Sequence, residues 1–180
     1  MTRIPPVDPE STTPDRRQAF EDGVQRFGRM TNMKRALLHS LPAYRALMEW
    51  YDLRDACAPF LGERLTNLFS HAISSETDCL ICSTFFRRIL IDAGEDVENL
   101  TLDEREQAVV DFGRCLAQPF ARVPDALYAR VAGFFDEEQM VALTAFGAMM
   151  VATNVLNNAL DVPLDDYLAP YRAETQTGSA

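Results

Sequence analysis

From residue 16 onward, apolar residues recur at the three- and four-residue intervals of a helix face. Alternating β-branched runs closed by Asn-Gly or Asp-Gly turns are absent, so the chain is expected to be all-α. Arg16 to Gly28 predicts a first helix that stops at glycine, and Asn32 caps a second that ends near Ser40. Pro42 stands near the start of a third helix, where proline costs least. That helix is expected to reach Cys57 with an apolar stripe of Leu47, Trp50, Tyr51 and Leu53. Pro59 precedes a fourth helix, from Leu61 to Ser75. The polar stretch Ser74-Ser75-Glu76-Thr77-Asp78 then breaks the pattern, and a fifth helix begins at Cys79 and is closed by Gly94. Thr101-Leu102-Asp103-Glu104 reads as a capping box opening a sixth, to Gln118. Val123-Pro124 starts a seventh, to Phe134. Asp136 with Gln139 caps a last helix to Leu160, whose Met140, Leu143, Phe146, Met149, Met150 and Leu156 read as core. The expectation is seven or eight helices in one domain over residues 16–172. Residues 1–15, with four prolines, form an extended or disordered arm, and residues 173–180 a polar tail.

Composition narrows the partners. The chain has 180 residues, 47% of them hydrophobic, as in an ordinary globular protein. Its 17 Lys and Arg against 27 Asp and Glu give a net charge of −10, the wrong sign for a nucleic-acid footprint or an anionic membrane surface. No run of 18 consecutive apolar residues occurs, so no spanning helix is expected. The N-terminus lacks the apolar core of a signal peptide, which makes the cytoplasm the expected location. Phosphate loops, GxGxxG after a strand, GxSxG elbows and HExxH motifs are absent.

The candidate chemistry lies in four cysteines and two histidines. Cys57 and Cys115 read as packing residues. Cys79 and Cys82 form a Cys-x-x-Cys whose sulfurs can meet within one helical turn, either as a dithiol or as two cysteines in a core helix. Their position at a helix start favours an anion, which lowers a thiol pKa. His71 is either a general base for these thiols or a histidine held in a helix interface. Glu76 is either a carboxylate serving the thiols or a charge complementing a helix N-terminus. His39, beside Pro42, reads as structural, and Arg87-Arg88 as a solvated helix face in preference to an anion site. One close cysteine pair is a poor match to a structural zinc site, and neither metal nor other cofactor is expected.

Over most of residues 30–168 the chain resembles the alkylhydroperoxidase D-like and carboxymuconolactone decarboxylase superfamily. The resemblance rests on Met33-Lys34-Arg35-Ala36-Leu37-Leu38-His39, on Leu65 to Gly94 with the Cys-x-x-Cys, and on Thr101-Leu102-Asp103-Glu104-Arg105-Glu106. It continues in Asn154, Asn157, Asn158, Ala159 and Leu160 followed by Asp165-Asp166-Tyr167-Leu168, and the Ile4-Pro5-Pro6 arm is similar too. It implies an all-α homo-oligomer (dimer, trimer or hexamer) and, since both cysteines are kept, the redox branch that reduces peroxides. Cys82 would then form the sulfenic acid and Cys79 would resolve it, with a hydroperoxide as substrate and an external dithiol as reductant. The family's relay glutamate and histidine fall on Asn67 and Phe86, neither of which can take a proton. A general base contributes about 10²–10⁴-fold, so a slow peroxidase is expected. Two other readings stay open: a non-catalytic or regulatory oligomer, and a lyase of the decarboxylase type.

Overall fold

The structure is a computed structural model and describes residues 2–120 and 122–173. All but one residue of the expected C-terminal tail lies outside that range. The described residues form helices and no strands, in the order α1 Pro14–Phe27, α2 Asn32–Leu37, α3 Leu41–Met48, α4 Trp50–Leu61, α5 Glu63–Glu76, α6 Leu80–Asp92, α7 Glu104–Leu116, α8 Asp125–Ala132 and α9 Glu137–Leu160. Short 3-10 helices, Pro9–Ser11 and Asp166–Tyr171, flank them.

One expected helix is two. The third predicted helix breaks at Glu49 into α3 and α4. Tyr44 and Met48 of α3 pack into a small cluster with Val7, Leu37 and Leu38, whereas Cys57 and Leu61 of α4 enter the main core. A straight helix cannot point one stripe at both clusters, so the chain turns between them. The cap before α7 also lies two residues later than expected. Asp103 accepts from the Glu106 N–H, and the Glu106 carboxylate accepts from the Asp103 N–H. The Thr101 carbonyl is taken by Arg64 instead. The Asp136/Gln139 box forms as read.

The N-terminal arm is docked rather than loose. Val7 is buried, donates its N–H to the Arg35 carbonyl and accepts from the Arg35 guanidinium, Arg3 donates to the Leu160 carbonyl, and His39 meets the Pro5 carbonyl at 3.0 Å. His39 is therefore structural, as its position suggested.

The central element is α5, which packs against α4, α6, α7 and α9. Contrary to the run-length expectation, α9 is long and apolar enough to cross a membrane by length and composition, with a mean hydropathy of 1.5 over its most apolar stretch. Thr153, Asn154 and Asn157 interrupt the run, which is why counting consecutive apolar residues misses it. In this fold α9 packs on α4, α5 and α7, and those polar residues are buried.

Close approach of the helices depends on missing side chains. A Cβ on Gly147 of α9 would lie 2.6 Å from Leu116 Cδ1 and 2.9 Å from the fully buried ring of Phe69. In an open helix Gly→Ala gains about 1 kcal/mol. Here overpacking reverses the sign, and Gly147→Ala is expected to lose about 1–3 kcal/mol in urea denaturation. Gly133→Ala, where the nearest atom is 3.4 Å away, should stay within about 0.5 kcal/mol of the parent.

Candidate active site

Three residues, Thr77, Asp78 and Cys79, join α5 to α6. The turn is tight because Asp78 adopts a left-handed conformation (φ 49°) and the Cys79 N–H returns to the Ser74 carbonyl at 3.0 Å. Cys79 thus becomes the N-cap of α6 and Cys82 sits in its first turn, as expected for a motif opening a helix.

The turn is held from above by α9. Asn154, Asn157 and Asn158 share one face of that helix through their three- and four-residue spacing. Asn154 donates to the Thr77 hydroxyl at 2.8 Å and Asn158 to the Thr77 carbonyl at 2.9 Å. Asn157 donates to both sulfurs, at 3.3 Å to Cys82 and 3.8 Å to Cys79. Its role at the thiols was not read from the sequence. Three amides on one face of an otherwise apolar helix were the available signal.

Both cysteines are free of a disulfide and buried. Their thiols hydrogen-bond to each other, and the pair divides two properties expected together. Cys79 is pulled down to about 7 by the hydrogen bond from Cys82, against the cost of burial and with help from the Ile81 and Cys82 amides and Asn157. Cys82 is raised, because it carries the shared proton and is buried beside the Cys79 charge. Access runs the other way. Cys79 is 0% exposed, while Cys82, at 7%, opens onto a cavity of about 440 Å³.

That cavity has aromatic walls. Trp50 stands between Phe86 and Phe146 at centroid distances of 6.1 and 5.5 Å, and Tyr51 stacks on Phe27 at 4.4 Å. Burial pushes Tyr51 up to about 12, with the charge of Cys82 among the neighbours that add to it. Lys34, Arg29, Arg88 and Asp165 bring charge to the same space. Of these four the sequence offered only Arg88 as an anion site, and there as the less favoured reading. They come from the loop before α2, from α2 and α6, and from the segment after α9, and only the fold collects them.

The other candidates fall elsewhere. Phe86 is a cavity wall, and buried Asn67 donates to the Glu63 carbonyl of its own helix, so neither relay position carries a proton to the thiols. His71 lies among Arg87, Glu98 and Arg114 and has no hydrogen bond to either sulfur among the described residues. Burial and the two arginines lower it to about 4, so it stays neutral and is a poor base for a thiol near 7. The interface reading of His71 fits these surroundings. Exposed Glu76 accepts from Gln118 of the segment after α7 rather than from either thiol. Cys57 is buried and raised to about 11 by burial, as a packing thiol should be, and half-buried Cys115 contacts the Arg122 carbonyl. Arg87-Arg88 is not a solvated face: Arg87 pairs with Glu98, while Arg88 pairs with Asp92 and borders the cavity. The 3-10 helix after α9 packs on α6 and covers that side.

The pair should lose its first proton as pH rises through about 7, read as thiolate absorbance in the ultraviolet. Asn157→Leu removes a donor that stabilises the anion and should move this titration to higher pH. An unchanged midpoint would mean that the asparagine contributes nothing to the charge.

No protein-family model matches the chain, and no curated protein matches it by sequence. Solved structures do match in fold. The debrominase Bmp8 superposes with a TM-score of 0.75 at 18% identity, covering 95% of this chain and 96% of that one. A cysteine-to-alanine variant of Bmp8 in complex with 2,3,4-tribromopyrrole gives 0.77 at the same identity and coverage. A peroxidase-related protein from Ralstonia eutropha JMP134, described as an alkylhydroperoxidase AhpD core, gives 0.70 at 18% identity, covering 93% and 94%. The agreement spans nearly the whole of each chain, and the chain has the alkylhydroperoxidase D-like fold, with its Cys-x-x-Cys opening a helix at the floor of a cavity.

Proposed function

We propose that the protein is a dithiol oxidoreductase that reduces a hydroperoxide at Cys82. One observation carries the reading: two free, mutually hydrogen-bonded cysteines, of which only Cys82 faces a cavity large enough for an organic molecule. The pair shares one proton near neutrality. With that proton on Cys79, the Cys82 thiolate attacks the outer peroxide oxygen. The O–O bond breaks, the alcohol leaves with a proton from Cys79 or solvent, and Cys82 becomes a sulfenic acid. The Cys79 thiolate then attacks that sulfur, hydroxide departs and takes a proton from solvent to become water, and a disulfide remains. An external dithiol restores both thiols by exchange. Assembly of several copies belongs to the same proposal. Without a base at Asn67, Phe86 or His71, the protons move only within the pair and to solvent, which fits slow turnover.

The aromatic walls favour one second reading. The same two electrons could replace a ring–bromine bond by ring–hydrogen, releasing bromide and leaving the same disulfide. The fold neighbour described as a debrominase, bound to a bromopyrrole, supports it.

Peroxide consumption by purified protein decides between the cysteines. Cys82→Ser is expected to abolish it. Cys79→Ser should consume about one equivalent, accumulate a sulfenic acid detectable by mass spectrometry, and stop. Full turnover in Cys82→Ser would overturn the assignment. Parallel assays with cumene hydroperoxide and a bromopyrrole separate the two substrate readings. Cysteines that stay reduced with both would favour a non-catalytic protein.

A further inference from the structure

The cavity over Cys82 contains a cation that the redox chemistry does not use. Lys34 is only 4% exposed, and a buried lysine demands an explanation. An ammonium group carries three donors. One is spent on the Arg29 carbonyl at 3.1 Å. The remaining partners are the faces of Phe27 and Tyr51, at 4.3 and 4.9 Å from the nitrogen. Among the described residues no carboxylate lies within ion-pair distance of Lys34, although Asp165 acts on it through space.

While the thiol pair at its floor is fully protonated, the other charges of the cavity leave it positive. Arg29 lies over the Tyr167 ring at 4.0 Å with no carboxylate in ion-pair distance among the described residues, and Arg88 is neutralised by Asp92. Asp165 is the single opposing carboxylate among the lining residues. One of its oxygens accepts from the Asn32 N–H at 2.9 Å, while the other is buried with no hydrogen-bond partner. Burial raises its pKa, and Arg29 and Arg35 act against that rise. A positive, apolar-walled cavity thus sits in a chain whose net charge is −10.

We infer that this cavity binds an apolar, ring-bearing organic anion, with the ring between Trp50, Phe86 and Tyr51 and the anionic group on Lys34. The inference rests on the reading of Cys82 as the thiol that faces substrate, and it names the substrate class of that site. Two spare ammonium donors give an anion charge-assisted hydrogen bonds inside low-dielectric walls, where they are stronger than in water. A neutral molecule of the same shape gains the walls but leaves the cation half satisfied. Hydrogen peroxide gains neither.

Trp50 is the sole tryptophan, so its emission reports occupancy of the cavity without a label. Reduced protein is titrated with hydrocinnamate and, separately, with hydrocinnamyl alcohol, which has the same ring and chain without the charge. The acid is expected to bind at least tenfold more tightly. Lys34→Met, which keeps the apolar stem, should bring the two to equal affinity. Equal binding of acid and alcohol by the parent protein overturns the inference, and this comparison stands even if the variant does not fold. An acid preference that survives in folded Lys34→Met overturns it as well. Neither probe is an electrophile, so the outcome is independent of thiol chemistry. A protein that binds the acid but reduces no hydroperoxide keeps this inference and loses the redox reading. One that reduces hydroperoxides without preferring the anion loses this inference alone.

Discussion

A sulfur anion can exist in the interior of this molecule only because donors are aimed at it. Burying an unpaired charge costs several kcal/mol. The Cys79 sulfur meets that cost with the thiol of Cys82, the first amides of α6 and the Asn157 side chain. Each donor depends on a different part of the fold. The amides require the short left-handed turn at Asp78, the thiol requires the two-residue spacing, and Asn157 requires α9 to cross directly above the turn. The apolar bulk of α9 provides that crossing through its packing on α4, α5 and α7, with Gly147 letting it approach Phe69.

The same arrangement divides labour between the cysteines. The N-cap position gives Cys79 the stabilised charge and complete burial, whereas one helical turn further on Cys82 emerges at the cavity floor. A shared proton joins the two roles: charge generated at the buried sulfur can be expressed at the exposed one. The two positions at which the resemblance implied a relay hold an asparagine turned back on its own helix and a phenylalanine in the wall.

Much of the fold was legible in the sequence. Periodicity set the all-α class and most helix bounds, the Asp136/Gln139 box formed as read, and Cys79-Cys82 opened a helix because the polar run before it ends α5 and Cys79 itself takes the N-cap of α6. The break at Glu49 was not legible, since Leu47, Trp50 and Leu53 fit one continuous stripe until the small cluster claims Leu47 and the main core claims Trp50 and Leu53. His71 looked placed for catalysis by its spacing from Asn67. The sequence did not reveal that Arg87 and Arg114 would surround it and lower its basicity.

Local chemistry, then, belongs to the sequence by itself: helix periodicity, caps, glycine stops and a dithiol at a helix start all act over a few residues. Tertiary structure decided that Cys82 rather than Cys79 opens onto a cavity, and what surrounds it there. Lys34, Trp50, Cys82, Asn157 and Asp165 span more than a hundred residues of chain, and no local pattern encodes their meeting. Their proximity follows from how α2, α4, α6 and α9 pack, and a residue's charge state and accessibility are properties of that packing rather than of its neighbours in sequence.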